Sequence, residues 1–272
     1  MSHKDDVREF LISRRAQVTP EQAGLTVYGD DRRVPGLRRE EVAELAGVSL
    51  DYYVRLERGN IAGASDEVLH AIAGALRLDE VERRHLFDLA RRAPARVARE
   101  GRTAGRLRPS VRRMLDALSV PALVTNACQD ILGANPAGAA LFAPHLESER
   151  PNLARFIFLD SRAPEFYADW PLACRLTAAM LRYRAGRDPL NEDLTALIGE
   201  LSTRSPRFRQ DWADHDVHEH RTGRKLYRHP VVGEIDLTYD VLELPGEPGL
   251  SITTYTVDPG SESERRLARL PV

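Results

Sequence analysis

The chain has 272 residues, a formal net charge of −2, 42% hydrophobic and 29% charged side chains, the profile of a soluble globular protein with room for one small and one medium domain. No apolar run approaches the roughly 20 residues that a membrane span needs, and the start from Met1 to Asp6 lacks the apolar core of a secretion signal. Cys128 and Cys174 lie far apart without a metal-ligand pattern, so they read as buried thiols in a reducing cytoplasm, with a redox switch as the alternative.

In chain order, Val7 to Arg15 predicts a first helix through Phe10 and Leu11. A long polar connection follows, from Val18 to Gly36, in which Arg32 and Arg33 suit either a solvated loop or a phosphate or minor-groove contact. The stretch from Leu37 to Gly59 then reads as two short helices around Gly47-Val48-Ser49. Val42, Leu45 and Ala46 give the first of these an apolar face, and Gly47 ends it in a left-handed conformation. Ser49 caps the next helix and Gly59 stops it. Tyr53 and Leu56 share its inner face above Val48, which leaves Leu50, Asp51, Tyr52, Arg55 and Arg58 on or near the open side. A tight helix-turn-helix with a mixed polar outer face is the geometry that enters a DNA major groove. Ser65 opens a further helix through Val68, Leu69, Ile72, Ala73 and Leu76, and residues 80–92 give a fifth through Val81, Leu86, Phe87 and Leu89.

Five short helices with a Gly-Val-Ser turn and a Leu56-Glu57-Arg58-Gly59 stop resemble the phage-repressor-type (xenobiotic-response-element family) regulators. The resemblance implies a double-stranded DNA operator as partner. The DNA-contacting set is expected to be Arg38, Arg39, Ser49, Leu50, Asp51, Tyr52, Arg55 and Arg58. Arg39 is expected to clamp a phosphate. Arg55 is expected to read guanine edges, with Asp51 accepting from a cytosine amino group or orienting Arg55. One recognition helix covers about half a site, so a homodimer on a pseudo-palindrome is expected, joined by a globular interface because no heptad zipper is present.

The charge is unevenly spread: residues 91–113 hold nine Arg against one Glu. That segment suits phosphate contact or a merely soluble linker. Pro94, Gly101, Gly105 and Pro109 punctuate it, which divides the chain into a helix-turn-helix domain over 1–94, a basic linker over 95–108, a second domain over 109–260 and a tail over 261–272. The segment from Arg91 to Arg113 is then the only covalent route between the two domains.

In the second domain, Ser110 caps a helix through Val111, Met114, Leu115 and Leu118, and residues 121–126 with 130–135 read as a hairpin. Helical stretches follow over 137–142, 153–159, 167–184, 191–204 and 206–213, then strands over 216–219, 225–231, 234–244 and 250–257. This order predicts an α+β fold, an antiparallel sheet with helices on one face, compatible with a PAS-like sensor. Pro121 to Val124, Ala134-Asn135-Pro136, Asn152 to Phe156, Phe158-Leu159-Asp160, Asp169-Trp170 and Glu200 to Ser205 carry a further resemblance. So do Phe208, Trp212 to Val217, His229 to Leu237 and Asp258-Pro259-Gly260. Together they resemble the ligand-binding domain of the MmyB-like transcription regulators of actinobacteria, except that Ala134 stands where that family often has Trp.

This resemblance implies an all-α helix-turn-helix domain followed by a PAS-like pocket for a small apolar molecule such as a fatty acid, with no other cofactor. Phe156, Phe158, Trp170, Trp212, Tyr227 and Tyr239 suit either the walls of that pocket or the core, while Asn135, Arg155, His215 and His229 offer polar anchors. Arg155 and His229 are expected to hold the head and Trp170 and Trp212 the chain. For Arg155 a salt bridge to Asp160 or Asp169 is the alternative. His215, His218, His220 and His229 lack the geometry of a metal set. No nucleophile elbow, zinc-protease helix or phosphate-binding glycine loop appears, so an enzyme is the remoter alternative. A domain used only for dimerisation or partner docking is the nearer one.

Overall fold

The computed structural model describes residues 3–25, 34–91, 107–188, 190–218, 221–244, 246–247 and 249–271. The expectations placed on Arg32, Arg33 and the basic run from Arg92 to Arg106 lie outside the described residues. Two compact units form, one from Met1–Val97, Arg182–Asn191 and Trp212–Glu219, the other from Ala98–Leu181, Glu192–Asp211 and His220–Val272. The segment from Arg91 to Arg113 is therefore not the only covalent route. Two stretches of the second half supply side chains to the core of the first unit, Tyr183 and Val217 among them.

The first unit contains α1 (His3–Gln17), α2 (Arg39–Leu45), α3 (Leu50–Glu57), α4 (Asp66–Ala75) and α5 (Glu80–Ala90). Their ends follow local rules. The hydroxyls of Ser49 and Ser65 accept from the backbone N–H of Tyr52 and Val68, and Asp79 forms a reciprocal cap with Glu82. Gly47 turns the chain at φ +64°. Gly59 sits at φ +90°, and a Cβ there would lie 2.4 Å from the Lys4 carbonyl oxygen, so only glycine allows α1 to approach the end of α3. Val7, Phe10, Leu11, Val42, Tyr53, Leu56, Ile72 and Leu86 make the centre of the core. Leu45, expected inside, is 36% exposed, because α2 turns Val42, Ala43 and Ala46 inward instead.

In the second unit, α6 (Pro109–Asp116) leads into β1 (Ala122–Thr125) and β2 (Ile131–Ala134). The helices α7 (Pro136–Leu141), α8 (Ala143–Leu146), α9 (Leu153–Leu159) and α10 (Ala163–Phe166) follow. The long helix α11 (Trp170–Arg187) comes next, then α12 (Glu192–Arg204) and α13 (Pro206–Ala213). The chain closes with β3 (Thr222–His229), β4 (Gly233–Glu243), β5 (Ser251–Thr256) and α14 (Glu262–Leu267). The strands form one antiparallel sheet in the order β2-β1-β5-β4-β3.

Alternation sets the two faces of that sheet. Ile235, Leu237 and Tyr239 of β4 are buried together with Tyr227 and Tyr255. Ala122, Val124 and Ile252 point the other way, onto Val111 and Leu115 of α6, so helical cover is not confined to one face. Residues 216–218, expected in a strand, form none, and residues 261–271 are more than a tail, since α14 packs on β4 with Ser263 Oγ accepting from the Asp236 N–H at 2.9 Å. Among the described residues no helix is long and apolar enough to cross a membrane.

Candidate nucleic-acid interface and ligand cavity

On the outer side of α3, Leu50, Asp51, Arg55 and Arg58 are exposed while Tyr53 and Leu56 beneath them are fully buried. Tyr52 is half-buried against the core and carries the Arg55 guanidinium 4.9 Å above its ring. That stacking restricts the freedom of the exposed Arg55 side chain. Ser49 Oγ is committed to the cap of α3, accepting from the Tyr52 N–H at 3.2 Å. Arg38 donates its backbone N–H to Glu41 at 2.6 Å, and its guanidinium lies 3.5 Å from Glu40.

Arg39, expected as a phosphate clamp, has a protein partner as well. Its Nε donates to Glu57 Oε2, while the Arg39 side chain stays 50% exposed. Glu57 itself is 1% exposed and accepts from Arg15 Nε at 2.7 Å on its other oxygen. One buried carboxylate thus ties α1, α2 and α3 together and fixes the root of Arg39. Burial, with the Glu57 charge beside it, pushes the Tyr53 hydroxyl well above its ordinary value. In the sequence Glu57 reads only as part of the helix stop. The signal that it does more is a Glu on the buried side of α3, one residue after Leu56.

Two residues expected in the ligand pocket, Trp212 and His215, belong instead to the helix-turn-helix unit. Arg182 stands 4.1 Å over the Trp212 ring and donates to the Trp212 carbonyl. His215 adopts φ +54° and places Nε2 3.3 Å from Glu9. Burial, with the charges of Arg182 and Arg14, pushes its imidazole down to about 4. Arg14, 4% exposed, joins this segment to the helices: it pairs with Glu82 of α5 at 2.7 Å and with Asp216 at 2.8 Å, and donates to the His215 carbonyl at 3.0 Å.

The other expected ligand residues lie in the second unit, most of them with structural partners. Asn135, 1% exposed, caps α7 through the Gly138 N–H at 2.8 Å. It also accepts from Ala122 N–H and donates to the Leu118 and Val120 carbonyls, which uses its amide fully. Arg155 is held by Glu200 at 2.8 Å and Asp130 at 3.4 Å, not by Asp160 or Asp169. The indole N–H of Trp170 donates to Ile157 O at 2.9 Å. Both ring nitrogens of His229 are engaged, Nε2 with the Ala140 carbonyl at 3.2 Å and Nδ1 accepting from Val231 N–H at 3.2 Å. Phe156 stacks on His145 at 3.7 Å, inside a cluster completed by Phe142, Phe166, Tyr167, Tyr227 and Tyr255. The His145 imidazole shares a 3.0 Å hydrogen bond with the Tyr167 hydroxyl, and burial pushes it down to about 3.

Tyr167 also borders a cavity of about 290 Å³ whose floor is Leu172, Ala173 and Leu176 of α11 and whose other side is Arg224, Lys225, Leu226 and Arg228 of β3. Of the rim cations, Arg224 is paired with Asp236 and Asp258, and Arg228 with Glu234. Lys225 is half-buried, its ammonium 4.5 Å over the Tyr239 ring, and burial pushes it down to about 8. None of the expected ligand residues lines this cavity; Tyr239 adjoins it through Lys225, Phe156 through Tyr167, and Trp170 follows the lining residue Asp169 in the chain. Lys225 and Tyr167 line this cavity without standing among the site residues expected from the sequence. The available signal was parity, because Lys225 shares the inward side of β3 with Tyr227 and His229, an unusual place for lysine. Cys174 and Cys128 are buried, and burial with the Asp211 charge pushes the Cys174 thiol up to about 12. That disfavours a thiolate at neutral pH and a redox role.

Residues 107–270 match the model of the MmyB-like transcription regulator ligand binding domain, and residues 12–86 match that of a helix-turn-helix domain. A search of curated proteins found no match.

Proposed function

We propose that this chain, which belongs to the MmyB-like transcription regulators, is a cytoplasmic repressor that binds its operator as a homodimer and is controlled by a small fatty-acid-like ligand. Its DNA-binding and ligand-binding domains are those of a regulator and not of an enzyme. The observation that carries this reading is the exposed face of Leu50, Asp51, Arg55 and Arg58 set over the fully buried Tyr53 and Leu56. Such a face presents donors and acceptors from a rigid base, as base readout requires.

For the ligand, the support is the cavity between α11 and β3. Its walls are mainly apolar, its volume lies near the lower end for small-molecule sites, and a lysine stands at one side. These features suit an alkyl chain with an acidic head. Arg155 and His229, the head-group residues expected from the sequence, would have to leave their present partners to serve.

The test begins with selection of duplexes from a random pool by the full chain, followed by light scattering of the protein on the enriched site. Two-fold sequences bound by two copies support the reading, and monomeric binding to an asymmetric site overturns the homodimer. Native mass spectrometry of the purified protein, with titration of a fatty-acid series, tests the ligand. If no member of the series binds or changes affinity for the selected duplex, the ligand assignment falls.

A further inference from the structure

The helix that floors the cavity also belongs to the DNA-binding unit. Leu172, Ala173 and Leu176 of α11 line the cavity, whereas Arg182, Tyr183 and Gly186 of the same helix pack within the helix-turn-helix unit. From Ala173 to Gly186 is about 20 Å of continuous helix at 1.5 Å per residue. A helix held by its own hydrogen-bond ladder moves as a piece, so a displacement at one end is delivered at the other.

The receiving end has little slack. A Cβ on Gly186 would lie 2.5 Å from the His85 ring, so helix and imidazole already touch. Tyr183 is 4% exposed, and its hydroxyl accepts from Arg84 of α5 at 3.3 Å. Arg182 is clamped to Trp212 by ring and carbonyl. The segment from Trp212 to Val217 includes Asp216, which holds Arg14 of α1. The next residue of α1, Arg15, grips Glu57 of α3, the carboxylate that also orients Arg39. Close-packed cores and buried ion networks shift between discrete arrangements and do not deform smoothly.

We infer that the DNA-binding unit is completed by Arg182–Asn191 and Trp212–Glu219, and that α11 is the element through which an occupied cavity changes the footing of α1 and α3. The inference rests on reading the cavity as a ligand seat, but not on which ligand fills it. It makes Asp216 and Gly186 positioning residues for DNA binding.

The experiment uses the full chain and the duplex that the wild type selects. Two probes fill the cavity independently, added dodecanoate and the substitution Ala173→Phe. Hydrogen exchange and duplex affinity are read together. Each probe is expected to change exchange in α1, α5 and residues 212–218 and to shift Kd by about five-fold or more. In Asp216→Ala, each should still alter exchange around residues 170–176 and 222–229, while the shift in Kd shrinks to about two-fold or less. Gly186→Ala pushes the receiving end without touching the cavity, and is expected to shift Kd on its own even if Ala173→Phe fails to fold. A wild-type response confined to the cavity walls, or an unchanged Kd and α5 exchange in Gly186→Ala, overturns the inference. If dodecanoate does not bind but Ala173→Phe acts at α1, the ligand assignment fails and the coupling through α11 stands.

Discussion

Glu57→Ala is the most informative single change in the helix-turn-helix unit. The carboxylate is 1% exposed and bonded to Arg15, itself 15% exposed, and to Arg39, 50% exposed. Removing one partner of a buried ion pair costs about 3–5 kcal/mol, because the remaining charge is left desolvated. Here Arg39 regains water, and Arg15 keeps the Leu37 carbonyl at 2.8 Å. The lower end, about 3 kcal/mol, therefore applies. For a unit of this size that lowers Tm by roughly 12–24 °C. Glu57→Gln retains one acceptor oxygen and should lose less, about half as much. Thermal unfolding followed by calorimetry and circular dichroism measures both. At low temperature, where Glu57→Ala is still folded, Arg39 has lost its anchor, so binding should weaken similarly on every duplex. A Tm for Glu57→Ala within about 3 °C of wild type would refute the claim that this carboxylate binds three helices together.

Three further outcomes follow from the same geometry. Gly59→Ala should cost about 2–3 kcal/mol by denaturant titration, since it meets both a positive φ and the Lys4 backbone, whereas Gly47→Ala, with open space at its Cβ, should cost only about 1 kcal/mol. Arg55→Ala should relax base preference at one position by about 1–3 kcal/mol, while Arg39→Ala weakens all sequences alike, both read by competition between selected and scrambled duplexes. His85 and His145 are pushed down to about 3 by burial, so the unfolded chain takes up protons at a pH where the folded chain does not. Their contribution is fully present above pH ~6.5 and fades as pH falls toward about 3, by about 1.4 kcal/mol per pH unit for each histidine. Chemical denaturation at pH 7, 6 and 5 checks this, and His145→Phe should flatten the dependence.

The helix-turn-helix was legible because its determinants are local. A capping Ser49, a left-handed Gly47 and the inward pair Tyr53 and Leu56 act over a few residues, and none depends on distant partners. Strand parity is equally local: Ile235, Leu237 and Tyr239 are buried in alternation with more exposed residues along β4. Leu45 was placed wrongly because a seven-residue helix can turn either side of its apolar set inward, and tertiary packing chose Ala43 over Leu45. Asn135, Arg155 and His229 show a different limit. The sequence identified polar side chains inside an apolar domain, but whether their partner is a ligand, a backbone carbonyl or a carboxylate depends on what the fold brings alongside. In each case the fold supplies that partner from the chain itself.

Trp212 and His215 mark the sharpest divergence between covalent order and packing. They stand in a run with Asp216 and Val217, on the far side of a basic, Pro- and Gly-punctuated segment that reads as a boundary. Composition locates where a chain is easy to cut, but not which core each side chain enters. Arg14 decides that point energetically. A guanidinium 4% exposed needs several acceptors, and the helices around it supply the Glu82 carboxylate. Asp216 and the carbonyls of residues 214 and 215 complete the set, from a stretch 200 residues away in sequence. A helix-turn-helix fragment ending at the basic segment would leave Arg14 short of those acceptors and Tyr183 and Val217 missing from the core. The family architecture therefore describes the order of the domains along the chain, whereas the physical unit that holds α3 includes pieces of the ligand-binding half.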